Sequence, residues 1–362
     1  MAAKKVLTVA HRWVGLALVV LVLLQAGTGL LLVNKAALEP LVHPEATVAP
    51  GAPAPLDAVI AAVRAAHPDL RLDRIYTPER PDRALTARML DERRAMTIVL
   101  VDPSSAQVLS SGPLTSYPLQ LAERLHVSLL QGAAGQVVLL IEGICLLFMS
   151  ISGVIVWWPR LKLLGQALTI HVGAGPRRLL RDLHLVPGAL AAVLIGLSAF
   201  TGAGIIAEPL LKPLVGAFAP VGPDLALPDL APLPEGQQLS TAQSAMAKLH
   251  ARFPEGRLRQ IRVVGPDERL VGVVMESRLA ANPRAHHLAA VDRADGRMTV
   301  WEDADRQLAG DAVLAWLLPI HTGEVLGWAR TVTMTALALV LTLLTVTGVW
   351  MWAVKPRRRR SR

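Results

Sequence analysis

Four stretches of the chain are apolar for long enough to cross a bilayer, whose hydrocarbon core takes roughly 20 residues of helix. They cover about residues 13–33, 136–158, 185–207 and 331–354. The segments between the first and second, and between the third and fourth, are patterned differently. Residues 56–67 and 239–253 place apolar side chains at helical spacing. Residues 72–76, 97–101, 259–264, 270–275 and 287–291 read as strands. Asp102-Pro103 and Asp295-Gly296 are turn signals, and Pro/Ala/Gly-rich linkers at 50–55 and 220–234 lead into each segment. The expected class is a membrane α-helical protein, a four-helix transmembrane bundle carrying two extracytoplasmic α+β domains.

Charge sets the expected orientation. The chain has 362 residues, 18% of them charged, a formal net charge of +9 and a mean hydropathy of +0.43. The basic residues cluster beside the apolar spans, so they read as membrane topology and not as a nucleic-acid surface. Lys4, Lys5 and Arg12 precede the first span. Arg160, Lys162, Arg177, Arg178 and Arg181 lie between the second and third, and Lys355, Arg357, Arg358, Arg359, Arg360 and Arg362 follow the fourth. By the positive-inside rule these three segments are cytoplasmic, both termini included, and the long connections face outward. The first span reads as retained and not as a cleaved signal, because its apolar run is long and no small-x-small site follows it. One cysteine, Cys145, excludes an internal disulfide and Cys-rich metal sites. No Gly-rich nucleotide fingerprint, nucleic-acid motif or nucleophile–base arrangement is visible.

An internal repeat appears in the offsets. From His11 it is four residues to Gly15 and seventeen to Thr28-Gly29, and from His184 the same steps reach Gly188 and Thr201-Gly202. From His126 it is six to Gly132, twenty-seven to Gly153 and thirty-one to Trp157, and from His321 the same steps reach Gly327, Gly348 and Trp352. Both halves start on the same side, so the repeats are parallel. Equivalent histidines then lie at one depth, whereas the two within a half lie about 30 Å apart across the membrane. The arithmetic pairs His11 with His184 and His126 with His321. A single histidine at a membrane edge is ordinarily an interfacial polar residue, and glycines at these spacings also suit helix packing. Two facing pairs in a helix bundle suit haem, and they make a poor zinc site without carboxylate or thiolate partners. Glu142 is the carboxylate set well inside a span, which gives it either a proton- or propionate-related role or a polar neighbour. His43, His67, His250, His286 and His287 read as surface residues, and His171 has no counterpart in the repeat.

Several stretches together resemble the PepSY-associated transmembrane family, which includes iron-regulated membrane proteins and siderophore-iron reductases. They are His11-Arg12-Trp13-Val14-Gly15, Leu125-His126, Ser152-Gly153, Trp157-Trp158-Pro159-Arg160, Arg181-Asp182-Leu183-His184, Pro319-Ile320-His321-Thr322-Gly323-Glu324, Thr347-Gly348 and Met351-Trp352. The resemblance implies PepSY-like outer domains, a place in the bacterial inner membrane, and two b-type haems held by His11, His126, His184 and His321. It further implies reduction of a periplasmic ferric siderophore. With no nucleotide fingerprint visible, the electrons are expected from quinol or a cytoplasmic reductase. Glu123, Arg124, Glu324 and Arg330 fall near the outer pair as candidate contacts. The rival readings are a haem-free membrane anchor or regulator, an iron–siderophore transporter, and a quinol-linked cytochrome serving another acceptor.

The expected division is 1–35 (cytoplasmic N-terminus and first span), 36–118 (first PepSY-like domain) and 119–160 (interfacial segment and second span). The second half follows as 161–184 (cytoplasmic loop), 185–207 (third span), 208–314 (second PepSY-like domain), 315–354 (interfacial segment and fourth span) and 355–362 (basic tail).

Overall fold

The computed structural model describes residues 2–223, 228, 230, 232–264 and 268–354. The basic tail 355–362 and part of the 220–234 linker lie outside the described residues. The chain divides into two compact units, one of Met1–Lys35, Ala122–Leu211 and Leu317–Arg362, the other of Ala36–Leu121 and Lys212–Trp316.

The first unit contains four long helices: α1 (Ala2–Val33), α5 (Gly132–Trp157), α7 (Pro176–Ile206) and α12 (Arg330–Ala353). In chain order, the shorter helices are α2 (Lys35–Val42), α3 (Leu56–Ala66), α4 (Pro118–Ser128), α6 (Leu164–Ala167), α8 (Glu208–Gly216), α9 (Ala242–Arg252), α10 (Ala309–Ala315) and α11 (Leu317–His321). The long helices form because Ala, Leu and Val dominate them, and a backbone in hydrocarbon must satisfy its own hydrogen bonds. They pack as a ring, α1 on α5, α5 on α7, α7 on α12 and α12 on α1. The outward faces stay apolar: Val20, Ile144, Val193 and Leu339 are all exposed. Such a surface belongs against lipid. Helix α7 starts with Pro176 after a left-handed Gly175 and runs through Asp182 and His184 before its apolar stretch. Its helical start thus lies nine residues before the expected third span.

The second unit is one body, which corrects the expectation of two outer domains. Strands β1 (Arg71–Tyr76), β2 (Leu85–Leu90), β3 (Met96–Val101), β4 (Val108–Pro113), β5 (Arg257–Val264), β6 (Leu270–Glu276), β7 (His286–Asp292) and β8 (Met298–Glu302) form a single antiparallel sheet in the order β4-β3-β2-β1-β5-β6-β7-β8. β1 and β5 join the two segments, with Ile75 opposite Ile261 and Tyr76 opposite Gln260. Each would otherwise be an open edge, so pairing them removes two aggregation-prone rims at once. One core underlies both: Val59, Ile60 and Val63 of α3 and Ala245, Met246 and Leu249 of α9 pack on Ile75, Ala87, Val99, Ile261, Val271 and Ala289. The helices also cap each other. Asp57 accepts from the backbone N–H groups of Ala242 and Gln243 at 2.8 and 2.9 Å, and the Gln243 side chain accepts from Leu56 N at 2.9 Å. Two chain segments more than 180 residues apart thus satisfy each other's free helix N–H groups.

Candidate functional site

Each of the four span-edge histidines rests on a hydroxyl–glycine dipeptide of a neighbouring helix. At the end of the bundle where α1 and α7 begin, His11 Nδ1 lies 2.9 Å from Ser152 Oγ on α5, and His184 Nδ1 lies 3.0 Å from Thr347 Oγ1 on α12. At the opposite end, His126 Nδ1 lies 2.9 Å from Thr28 Oγ1 on α1. There His321 Nδ1 lies 3.3 Å from Thr201 Oγ1 on α7 and 3.0 Å from the Ser198 carbonyl. The glycine that follows each hydroxyl leaves room for the ring. A Cβ on Gly153, Gly348, Gly29 or Gly202 would meet Cε1 of its histidine at 3.2, 3.3, 3.4 or 2.8 Å.

These contacts determine the tautomer. The hydroxyl protons of Thr28, Thr201 and Thr347 go to the carbonyls of Leu24, Leu197 and Leu343, each at 2.7 Å, and that of Ser152 goes to Met149 O at 3.2 Å. Each hydroxyl oxygen therefore has only lone pairs left for the imidazole. The Ser198 carbonyl is an acceptor under any circumstances. Nδ1 must carry the proton in all four rings, which leaves a lone pair on Nε2, and a metal-binding imidazole requires this arrangement.

One pair of rings faces directly, and the other pair shares a cavity. His126 and His321 have centroids 6.3 Å apart with planes inclined at 46°. That gap accommodates one metal ion bonded to each ring at about 2 Å, the usual imidazole–metal length. His11 and His184 line a cavity of about 310 Å³ walled by Leu16, Leu146, Leu341, Trp157 and Trp352. This volume is at the small end for an organic ligand, and the wall is apolar as such ligands require. Two donors in the wall, Arg12 Nε and Trp157 Nε1, are buried without a hydrogen-bond partner. Buried orphan donors are costly, and an anionic group in the cavity would satisfy both. Two imidazole lone pairs, an apolar slot and unpartnered donors fit a haem, with its iron and carboxylates.

The turns after the outer histidines are conformationally demanding. Gly132 and Gly327, each six residues beyond a histidine, have φ of 55° and 54°. Leu129 and Leu130 also take left-handed values of 49° and 61°, which L side chains adopt only under constraint. A Cβ on Gly135 would lie 1.8 Å from the Ser128 carbonyl, so only glycine allows α5 to start so close to the end of α4.

The other candidates fall out differently. Arg330 donates to the Thr322 carbonyl at 3.1 Å and pairs with Glu324 at 3.6 Å, which ties the His321 loop to the start of α12. Glu123 pairs with Lys35 at 3.8 Å, and Arg124 is half-buried on α4. Glu142 is buried on α5 with one carboxyl oxygen unpartnered. His43 and His287 are not surface residues: both are buried, His43 stacked on Tyr117 and His287 on Phe253. His287, Asp303 and Asp305 could share an ion by distance, yet all three are engaged. Ala304 N–H donates to His287 Nδ1, Arg252 to Asp303 and Ser277 to Asp305. The hydroxyls of Thr28, Thr201 and Thr347 thus bond their own helices and hold the histidines as well.

Four long apolar helices with lipid-type outer faces define a helical membrane protein. Residues 8–355, nearly the whole chain, match the PepSY-associated TM region, and the chain belongs to that family. No curated protein matches it.

Proposed function

We propose that this chain is a di-haem oxidoreductase of the bacterial inner membrane, built from two parallel repeats, that reduces a ferric siderophore on the periplasmic side and so releases its iron. The observation that carries the reading is the set of four histidines, each with Nδ1–H held by a hydroxyl and Nε2 left free, paired at both ends of one bundle. Haem, when bound, supplies the uptake and release of one electron at a potential tuned by its ligands and burial. The chain's own part is to hold His11 with His184 on the cytoplasmic side, and His126 with His321 on the periplasmic side, as neutral imidazoles with fixed tautomers. Arg12 and Trp157 would receive carboxylates at the inner site, and the apolar cavity wall keeps water out. The lysines and arginines flanking the spans set the orientation. Reduction releases iron because the hard oxygen donors of a siderophore suit ferric iron better than the softer ferrous ion. The electron source in this reading is quinol or a cytoplasmic reductase.

The test is an optical spectrum of detergent-purified protein, oxidised and dithionite-reduced, with haem quantified against chain. Two low-spin b-type haems per chain is the expected result. A colourless protein from cells amply supplied with haem would overturn the reading.

A further inference from the structure

The face of the sheet turned away from α3 and α9 carries a row of like charges at its centre. Arg88 of β2 stands directly opposite Arg74 of β1. One step beyond the Ile75–Ile261 pair in the same antiparallel register, Arg74 stands opposite Arg262 of β5. Ala87, Met89, Ile75, Ile261 and Val263 point the other way, into the shared core. Three arginines therefore lie abreast on three adjacent strands, across the line where the two segments join. Like charges placed directly opposite each other destabilise a sheet.

Among the described residues one carboxylate answers them. A bulge between Leu72 and Arg74 turns Asp73 to this group. Asp73 Oδ2 accepts from Arg74 Nε at 2.8 Å and from Arg88 Nε at 2.6 Å, and Oδ1 lies 3.8 Å from Arg262. Glu79 and Glu276, on neighbouring elements, are taken by Arg259. Among the described residues the cluster thus holds three positive charges against one negative. Burial, together with the charge of Arg74 and against the pull of Asp73, lowers the Arg262 guanidinium from its ordinary value, and Arg88 adds to the lowering. The Arg262 side chain is 44% exposed, whereas those of Arg88 and Arg74 are 13% and 22% exposed, so the outermost member of the row is open to solvent.

We propose that Arg74, Arg88 and Arg262 form a binding site for an oxygen-rich anion of at least two negative charges. The three planar guanidinium groups form a donor array with excess charge, held in register by three strands and one buried carboxylate. Under the reductase reading above, on which the identity of the ligand rests, the anion is the substrate itself, a ferric chelate with carboxylate or other deprotonated oxygen donors. The site then lies where both halves of the sheet contribute, and neither half alone contains it.

The test is calorimetric titration of the full chain, in a zwitterionic detergent at low salt, with ferric citrate and with citrate. Binding to the wild type is expected. R262Q should weaken it roughly tenfold or more, the effect of losing one charge-assisted hydrogen bond. R262Q leaves Asp73 its two closer partners and should keep the wild-type melting temperature. R80Q, at a surface pair with Asp82, should bind as the wild type does. The proposal is overturned if neither probe binds, if R262Q binds as tightly as the wild type, or if only vesicles containing anionic phospholipid compete for the site. The titration involves no electron transfer, so its failure is distinct from failure of the haem reading. A haem-free chain that binds citrate through Arg262 keeps the site and loses the reductase, and a di-haem chain that binds neither probe does the reverse.

Discussion

The hydroxyls of Thr28, Ser152, Thr201 and Thr347 act in two directions at once. Each donates its proton back to its own helix and accepts one from a histidine on another helix. The first bond makes the second one-way, and the second fixes which ring nitrogen stays free. Thr347→Val keeps the shape and removes the acceptor for His184 Nδ1–H. Partners of this kind are worth roughly 10–100-fold in metal affinity and make the imidazole a better electron donor. If haem is held as proposed, the variant should release it faster by a factor in that range, and its midpoint potential should rise. Unchanged release and an unchanged potential would reduce the hydroxyl to a helix-packing group. The glycines make a graded companion case. Gly202→Ala should disturb its site more than Gly29→Ala, because the new Cβ meets His321 at 2.8 Å in one and His126 at 3.4 Å in the other. Haem content of the two purified variants compares them directly.

At the scale of elements, the spans and the histidine offsets were legible in the sequence because both follow from local rules, a run of apolar residues and a fixed spacing. The union of the two α+β segments was not, because nothing local marks β1 and β5 as partners; their pairing is a contact across some 180 residues. Strands β2, β4 and β8 were also missed. β2 (LTARML) and β4 (VLSSGP) contain few β-branched residues, and β8 has only five residues, so the sheet holds them by register more than by propensity. The cross-capping by Asp57 gives a way to weigh the union. Asp57→Ala removes acceptors from two N–H groups of α9 and should cost about 1 kcal/mol, the usual worth of a cap. Thermal unfolding of the full chain followed by circular dichroism measures it, and no shift would mean that the β1–β5 pairing and the shared core hold the two segments without help from the cap. A pH effect belongs to the far edge of the same sheet. The hydrogen bond that His286 Nε2–H donates to the Glu302 carboxylate raises His286 above its ordinary value of 6.5, against the effect of burial. Stability from this pair is fully present below pH 6.5 and fades as pH rises through the raised folded value. Melting followed on both sides of that pH should slope downward in the wild type and flatten in His286→Gln.

The whole molecule places the histidines so that chain neighbours are spatial strangers. His11 and His126 are in the same half of the sequence, yet one sits on Ser152 and the other on Thr28, at opposite ends of the bundle. His11 and His184 share a cavity, and His126 faces His321. This arrangement makes a prediction that no single variant can make. On the di-haem proposal, each single His→Ala should remove one haem of the two, because each needs both its ligands. The double variant His11→Ala with His184→Ala should still keep one haem, since both losses fall on the same site. The double variant His11→Ala with His126→Ala should keep none, although it removes the same number of ligands. Pairing within each half of the sequence would reverse these two outcomes, and loss of both haems from every single variant would mean that the two sites fold as one. Haem per chain in the six proteins, four single and two double, therefore reads out the pairing itself, with no need for a substrate, a donor or a membrane.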